Sequence, residues 1–327
     1  MAITLTTLEQ KASRPAKIYV TQPDGIDLSE VRASLAHLAG TGQITDRDEA
    51  LLETLREVGV MSLDQIRRLL WPAAKERTAY NRLYLLVKHH LLAYARVPRV
   101  ELTPWGLVVR NVYGLGTGGW LWLKQEVNRQ VRERHLHRDQ VLHDLLVAEL
   151  YVRLVETVRR RRTGWDLTWH GEQGASFYPR DRQQPLLEPD GLALLRGQIE
   201  AGRPAVLPFF IELDRSREAH GRPSSDWGRK IAGYQQFYTA DWKLQPQLAG
   251  CPTFPLIVIV THGAQRLLNL TESILRHRRE PLTYQLALWE DLVASEDVLA
   301  APIWLVITPE GRVIGREAGK RQPLVRA

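Results

Sequence analysis

A chain of 327 residues with 44 Lys and Arg against 37 Asp and Glu, formally +7, can bury more than one core and favours polyanionic partners. Its single cysteine, Cys251, excludes an intrachain disulfide and any zinc site built on several thiolates. Apolar runs such as Pro255 to Val260 fall far short of the roughly 20 residues a membrane helix needs; Met1 to Lys11 has no basic start followed by an apolar segment, so a cytoplasmic protein is expected.

Residues 1–44 have weak periodicity and read as an N-terminal extension, with one strand at Lys17 to Val20 and a short helix around Leu28 to Leu38. From Thr45 the pattern becomes regular. Thr45 and Asp48 have capping-box spacing ahead of Leu51, Leu52, Leu55 and Val58, and Gly59 ends that helix. A second capping box, Ser62 to Gln65, starts a helix that buries Ile66, Leu69 and Leu70 and stops at Trp71-Pro72. A third helix, about Ala74 to His89, is expected to turn Tyr80, Leu83, Tyr84 and Val87 inward and to leave Arg77, Thr78, Asn81 and Lys88 outside.

Strand-like segments follow at Leu92 to Val97 and Leu107 to Tyr113, joined by Pro98 to Gly106. Three helices and a hairpin make the plan of a winged helix-turn-helix, placed at residues 45–123. Between Gln65 and Arg99 eight basic residues meet one acid, Glu76, a local charge of +7. Arg67, Arg68, Lys75, Arg82 and Lys88 are therefore expected to meet phosphates of double-stranded DNA, beside Thr78, while Arg77 and Asn81 reach base edges. A solvated protein-binding face is the alternative.

Gly114 to Gly119 matches G-x-G-x-x-G, but the strand before it belongs to a hairpin rather than a parallel βαβ unit. A glycine-rich turn into a helix is expected there. A long helical stretch then runs from about Leu121 to Arg162, with a break near His135. His137, His143, Asp144 and Glu149 lie along it. His143 and Asp144 are adjacent and point apart on a helix, which leaves Glu149 as the better site candidate.

Beyond it, strands at Trp165 to Trp169, Leu186 to Leu195, Val206 to Leu213, Leu256 to Val260 and Ile303 to Thr308 alternate with helices at Asp226 to Lys243 and Ala264 to Arg278. The pattern is an α/β layered domain, placed at residues 124–310 ahead of a tail at 311–327. In the run Val206 to Asp214, alternation sets Phe209, Ile211 and Leu213 on one face and Phe210, Glu212 and Asp214 on the other. Buried carboxylates need a partner.

Asp190, 22 residues before Glu212, has room to return through a turn and one strand. Asp190 and Glu212 suit Mg²⁺, with Mn²⁺ as substitute, because that ion takes one or two carboxylates and keeps several waters. Surface acids bonded to Arg203, Arg215 or Arg217 are the alternative. Lys230 and Tyr234 share one face of the next helix, from which Lys230 reaches the carboxylates or, alternatively, pairs with Asp226.

These segments together resemble the replication-relaxation family of plasmid and integrative-element proteins. The residues that carry the likeness are Val112 to Gly119, His143 to Glu149, Pro189-Asp190-Gly191, Phe210 to Arg215, and Lys230 with Tyr234. The resemblance implies work on DNA in replication, mobilisation or transfer. It also implies a second domain of the restriction-endonuclease-like PD-(D/E)XK kind, a mixed sheet flanked by helices, with Asp190 and Glu212 holding metal, Lys230 catalytic and Glu149 an outer acid. The strand motif of that pattern is Glu-x-Lys, and here Asp214, counted with the catalytic residues, stands in the lysine position, so that either Lys230 substitutes from the neighbouring helix or the site is degenerate. Implied partners are duplex DNA and a relaxase or replication initiator, with a homodimer as one assembly. A nuclease-fold platform without catalysis and a transcriptional regulator are the alternatives.

Overall fold

The computed structural model describes residues 27–102, 107–124, 138–161, 164–178, 185–198, 204–215, 226–240, 242–316 and 320–325. The expected strand at Lys17 to Val20, residues 103–106 of the hairpin connection, His137 and the helix break near His135 lie outside them, whereas Pro98 to Leu102, expected in that connection, continue the strand before it. The chain divides into two compact units with the main boundary between Leu145 and Leu146, Leu107 being grouped with the second.

In the first unit, α1 (Leu28–Thr41) is capped by Asp27, whose carboxylate accepts from the Ser29 N–H at 2.8 Å. Thr45 and Asp48 close the reciprocal capping box that opens α2 (Asp46–Val58), and Gly59, with φ 86°, ends it. A strand absent from the sequence expectation, β1 (Val60–Ser62), leads directly into α3 (Leu63–Leu70), where Ser62 and Gln65 cap each other. Gln65 also donates from Nε2 to the Leu145 carbonyl at 2.9 Å. Next come α4 (Glu76–Lys88), β2 (Leu92–Leu102) and β3 (Leu107–Leu115), and the three strands form one sheet in the order β1-β3-β2.

The α4 helix is rotated relative to the expectation. Its buried positions are Ala79, Leu83 and Leu86, while Tyr80 and Tyr84 are 40% and 62% exposed. Two adjacent stripes of this helix are apolar, and the smaller side chains took the core. The glycine-rich segment leads from β3 into the short α5 (Thr117–Trp122), as expected of a turn rather than a nucleotide loop. A Cβ on Gly118 or Gly119 would sit 2.8 Å from the His90 carbonyl oxygen or 2.3 Å from that of Leu91, so these positions allow a close backbone approach.

The second unit takes in most of α6 (Arg138–Arg161) and a seven-stranded mixed sheet in the order β10-β9-β8-β7-β6-β5-β4. Strands β4 (Asp166–Gly171), β5 (Gly191–Gln198) and β6 (Pro204–Asp214) form an antiparallel meander. Helix α7 (Asp226–Thr239) then crosses to β7 (Leu256–Thr261), parallel to β6, and α8 (Ala264–His277) crosses to β8 (Tyr284–Leu288), parallel to β7. After α9 (Trp289–Ala294) the antiparallel β9 (Leu305–Ile307) and β10 (Val313–Ile314) complete the edge.

Strand β8 was not foreseen. Neither was β10, which falls in the expected tail, where Gln322 also bridges to Trp304. Strand β7 is almost wholly buried, as parallel strands covered on both faces are. The core sets Phe210, Ile257 and Ile259 from the sheet against Trp227, Ile231, Tyr234 and Phe237 from α7 and Leu267, Leu270 and Ile274 from α8. Phe210 is therefore inward on the α7 side, and the alternation of β6 places Glu212 and Asp214 on that same side.

Candidate functional site

The register of the meander builds the acidic site. Gly191 lies opposite Ile211, so Asp190, one residue before β5, comes level with Glu212 across the strand pair. Asp190 Oδ2 accepts from the Leu213 N–H at 2.6 Å, which fixes that carboxylate against β6. Glu212 is 1% exposed. Its Oε2 accepts from Lys230 Nζ at 2.6 Å and its Oε1 from the Tyr234 hydroxyl at 2.7 Å, both reached from α7. Three residues distant in sequence, Asp190, Glu212 and Lys230, are thus brought together.

Burial pushes the Glu212 carboxyl up, Lys230 pulls it back and the Asp190 charge raises it further, to about 7. Burial also drives the Tyr234 hydroxyl well above its ordinary value, and the Glu212 charge adds to the effect. Lys230 retains some exposure and lies 5.3 Å from the centroid of the Trp227 ring. Asp226, its alternative partner, pairs with Arg229. Of the arginines considered for the acids, Arg203 and Arg217 lie outside the described residues. Glu188 is exposed.

Asp214, buried on the same face as Glu212, has its own set of donors. Arg266 grips it with two prongs, Nε to Oδ2 at 2.7 Å and Nη2 to Oδ1 at 2.6 Å. Thr261 Oγ1 donates to Oδ2 at 2.7 Å and Trp227 Nε1 to Oδ1 at 3.2 Å. Burial would raise this carboxyl, but the donors outweigh it and hold it below the usual range. Asp214 therefore ties β6 to β7, α7 and α8, and through Trp227 it steadies the ring beside Lys230.

Glu149 is also engaged elsewhere. It accepts from Arg153 Nε at 2.9 Å, and Arg153 Nη1 reaches the Leu292 and Ser295 carbonyls. His143 Nδ1 lies 3.5 Å from Asp144 Oδ1. Among the described residues no group of three or more His, Cys, Asp or Glu could hold a metal ion, so the acidic site rests on two carboxylates. Those two hard oxygen donors are of the kind Mg²⁺ takes.

In the first unit, Lys75, Arg77, Thr78, Asn81 and Lys88 are exposed along α4. Arg82 is not among them. It turns to Asp48, whose side chain is fully buried, with Nε 2.9 Å from Oδ1 and Nη2 bonded to Oδ2, and it also caps the Gln43 carbonyl at 2.7 Å. Arg67 and Arg68, half-buried, lie 3.0 and 3.7 Å from Asp64.

Sequence reasoning missed Trp227, Thr261 and Arg266. Only Trp227 had a local signal, three residues before Lys230 on the same helix face. Among the described residues no helix is long and apolar enough to cross a membrane. A family model described as replication-relaxation matches residues 52–249, more than half of the chain. No curated protein and no solved structure matches it.

Proposed function

The chain belongs to the replication-relaxation family, and from that premise we propose that it binds DNA of a plasmid or integrative element during replication or mobilisation and carries a nuclease-like site in its second unit. The observation that carries the reading is the meeting of Asp190, Glu212 and Lys230, with Glu212 buried and Lys230 at 2.6 Å. Burying an acid beside another acid lowers stability, and a protein retains such an arrangement where function needs it. The meander, crossover helix and parallel strand suit a nuclease-like fold with its acids at strand ends.

Asp190 and Glu212 would hold a divalent ion, Mg²⁺ or Mn²⁺. When bound, such an ion supplies Lewis-acid polarisation of a phosphate oxygen. Lys230, set between Glu212 and the Trp227 ring, offers an ammonium to the charge that develops on the phosphorane. Tyr234 fixes the Glu212 carboxylate, and the Leu213 N–H fixes Asp190. In the first unit, α2, α3 and α4 with the three-stranded sheet suit a winged helix-turn-helix, with Arg77 and Asn81 on the exposed face of α4 toward the groove.

A second reading, a platform that recruits a relaxase or replication initiator without cleavage, is favoured by one observation. Both Glu212 oxygens already have donors, and the residue standing in the lysine position of Glu-x-Lys is held by Arg266. Incubation with supercoiled, linear and single-stranded DNA plus Mg²⁺ or Mn²⁺ separates the two. The nuclease reading expects nicks or breaks from the wild type and none from Asp190→Ala or Glu212→Ala. Identical DNA profiles from all three proteins leave only the platform.

A further inference from the structure

The outer stripe of α4 carries two aromatic rings, Tyr80 at 40% and Tyr84 at 62% exposure, that present much of their surface to solvent. Arg77, Tyr80, Tyr84 and Lys88 follow one another at helical spacings of three or four, as do Arg77, Asn81, Tyr84 and Lys88, so the two series run along one face. All five are exposed, and Tyr84, at 62%, is the most exposed large apolar side chain among the described residues. The two rings stand one turn apart, about 6 Å along the helix axis. The only acid in α4 is Glu76, in the first turn, where the helix dipole favours it.

We infer that this stripe binds DNA with unpaired bases, Tyr80 and Tyr84 each stacking on one base while Arg77 and Lys88 hold the flanking phosphates. Exposed aromatics interleaved with cations are the surface that single strands select, because every base offers a π-face and every linkage a charge. A second copy of the chain fits worse, since face-to-face pairing of this stripe sets Arg77 and Lys88 near their own images. Phosphate contacts along an intact duplex use the cations and leave both rings idle. The inference rests on the reading of the first unit as the DNA-binding one and goes beyond it by naming a melted or forked substrate.

The test compares a duplex with the same duplex carrying a short unpaired bubble, labelled with 2-aminopurine in the bubble. The wild type should prefer the bubble and change the 2-aminopurine fluorescence. The pair Tyr80→Ser and Tyr84→Ser should lose roughly tenfold or more of bubble affinity with little change on duplex. The pair Tyr80→Phe and Tyr84→Phe, which keeps the ring faces, should retain the preference. Arg77→Ala with Lys88→Ala should weaken both substrates alike. Equal wild-type affinity for bubble and duplex overturns the inference, as does a serine pair that keeps the wild-type ratio, and in either case duplex binding by the first unit stands. A wild type that binds neither substrate removes the DNA-binding reading as well.

Discussion

Replacing Glu212 with Gln keeps the shape of the side chain and removes its charge, which isolates what ionisation of that group does to stability. The folded-state value, about 7, lies above the ordinary 4.5. Its stabilising contribution is therefore complete below about 4.5 and is lost as pH rises through about 7. A difference of about 2.5 pH units corresponds to about 3 kcal/mol by pH 8. Glu212→Gln should match the wild type near pH 4 and exceed its stability by about 3 kcal/mol near pH 8, with Lys230 free to turn toward water. Urea unfolding followed by far-UV circular dichroism at several pH values reads the difference. A variant less stable than the wild type at pH 8, or a difference that does not change with pH, refutes the argument that burial beside Asp190 strains this carboxylate.

Arg82→Ala leaves Asp48 buried without its cation and should destabilise the first unit by about 3 kcal/mol; a thermal melt identical to wild type, with weaker DNA binding, would return Arg82 to the DNA face. Asp214→Asn breaks the two-pronged grip of Arg266 and should lower the stability of the second unit by about 3 kcal/mol in urea titrations. Unchanged stability would contradict a structural role for that acid. Gly119→Ala forces a Cβ to 2.3 Å from the Leu91 carbonyl oxygen and should cost about 2 kcal/mol, measured by thermal unfolding; a neutral result would mean the β3 to α5 turn can shift.

Local signals carried well from sequence to structure. The capping boxes at Thr45 and Ser62 and the stop at Trp71-Pro72 depend on neighbours within three or four residues, and each appears as expected. Alternation along Phe209 to Asp214 was legible from strand geometry alone, since every residue of that stretch is buried whichever face it takes. Tyr80 and Tyr84 misled because Ala79, Leu83 and Leu86 form a second apolar stripe beside them, and a tyrosine fits either side of a helix. Strand β8 carries a buried Gln285 and runs straight into α9 without a turn, so nothing punctuated it. Arg82 with Asp48 and Arg266 with Asp214 are ion pairs between residues 34 and 52 positions apart, a distance over which no local pattern selects a partner. The approach of Lys230 to Glu212 could be anticipated from helix phase, whereas the tie from Asp214 to the Trp227 indole could not.

The most direct measurement is a titration with Mn²⁺, counting free ion by its electron paramagnetic resonance signal, on the wild type and on Asp190→Ala and Glu212→Ala. One bound ion in the wild type, lost in both variants, is the expected result. Equal binding by all three proteins, or none by the wild type, would contradict the assignment of these two carboxylates to a divalent ion.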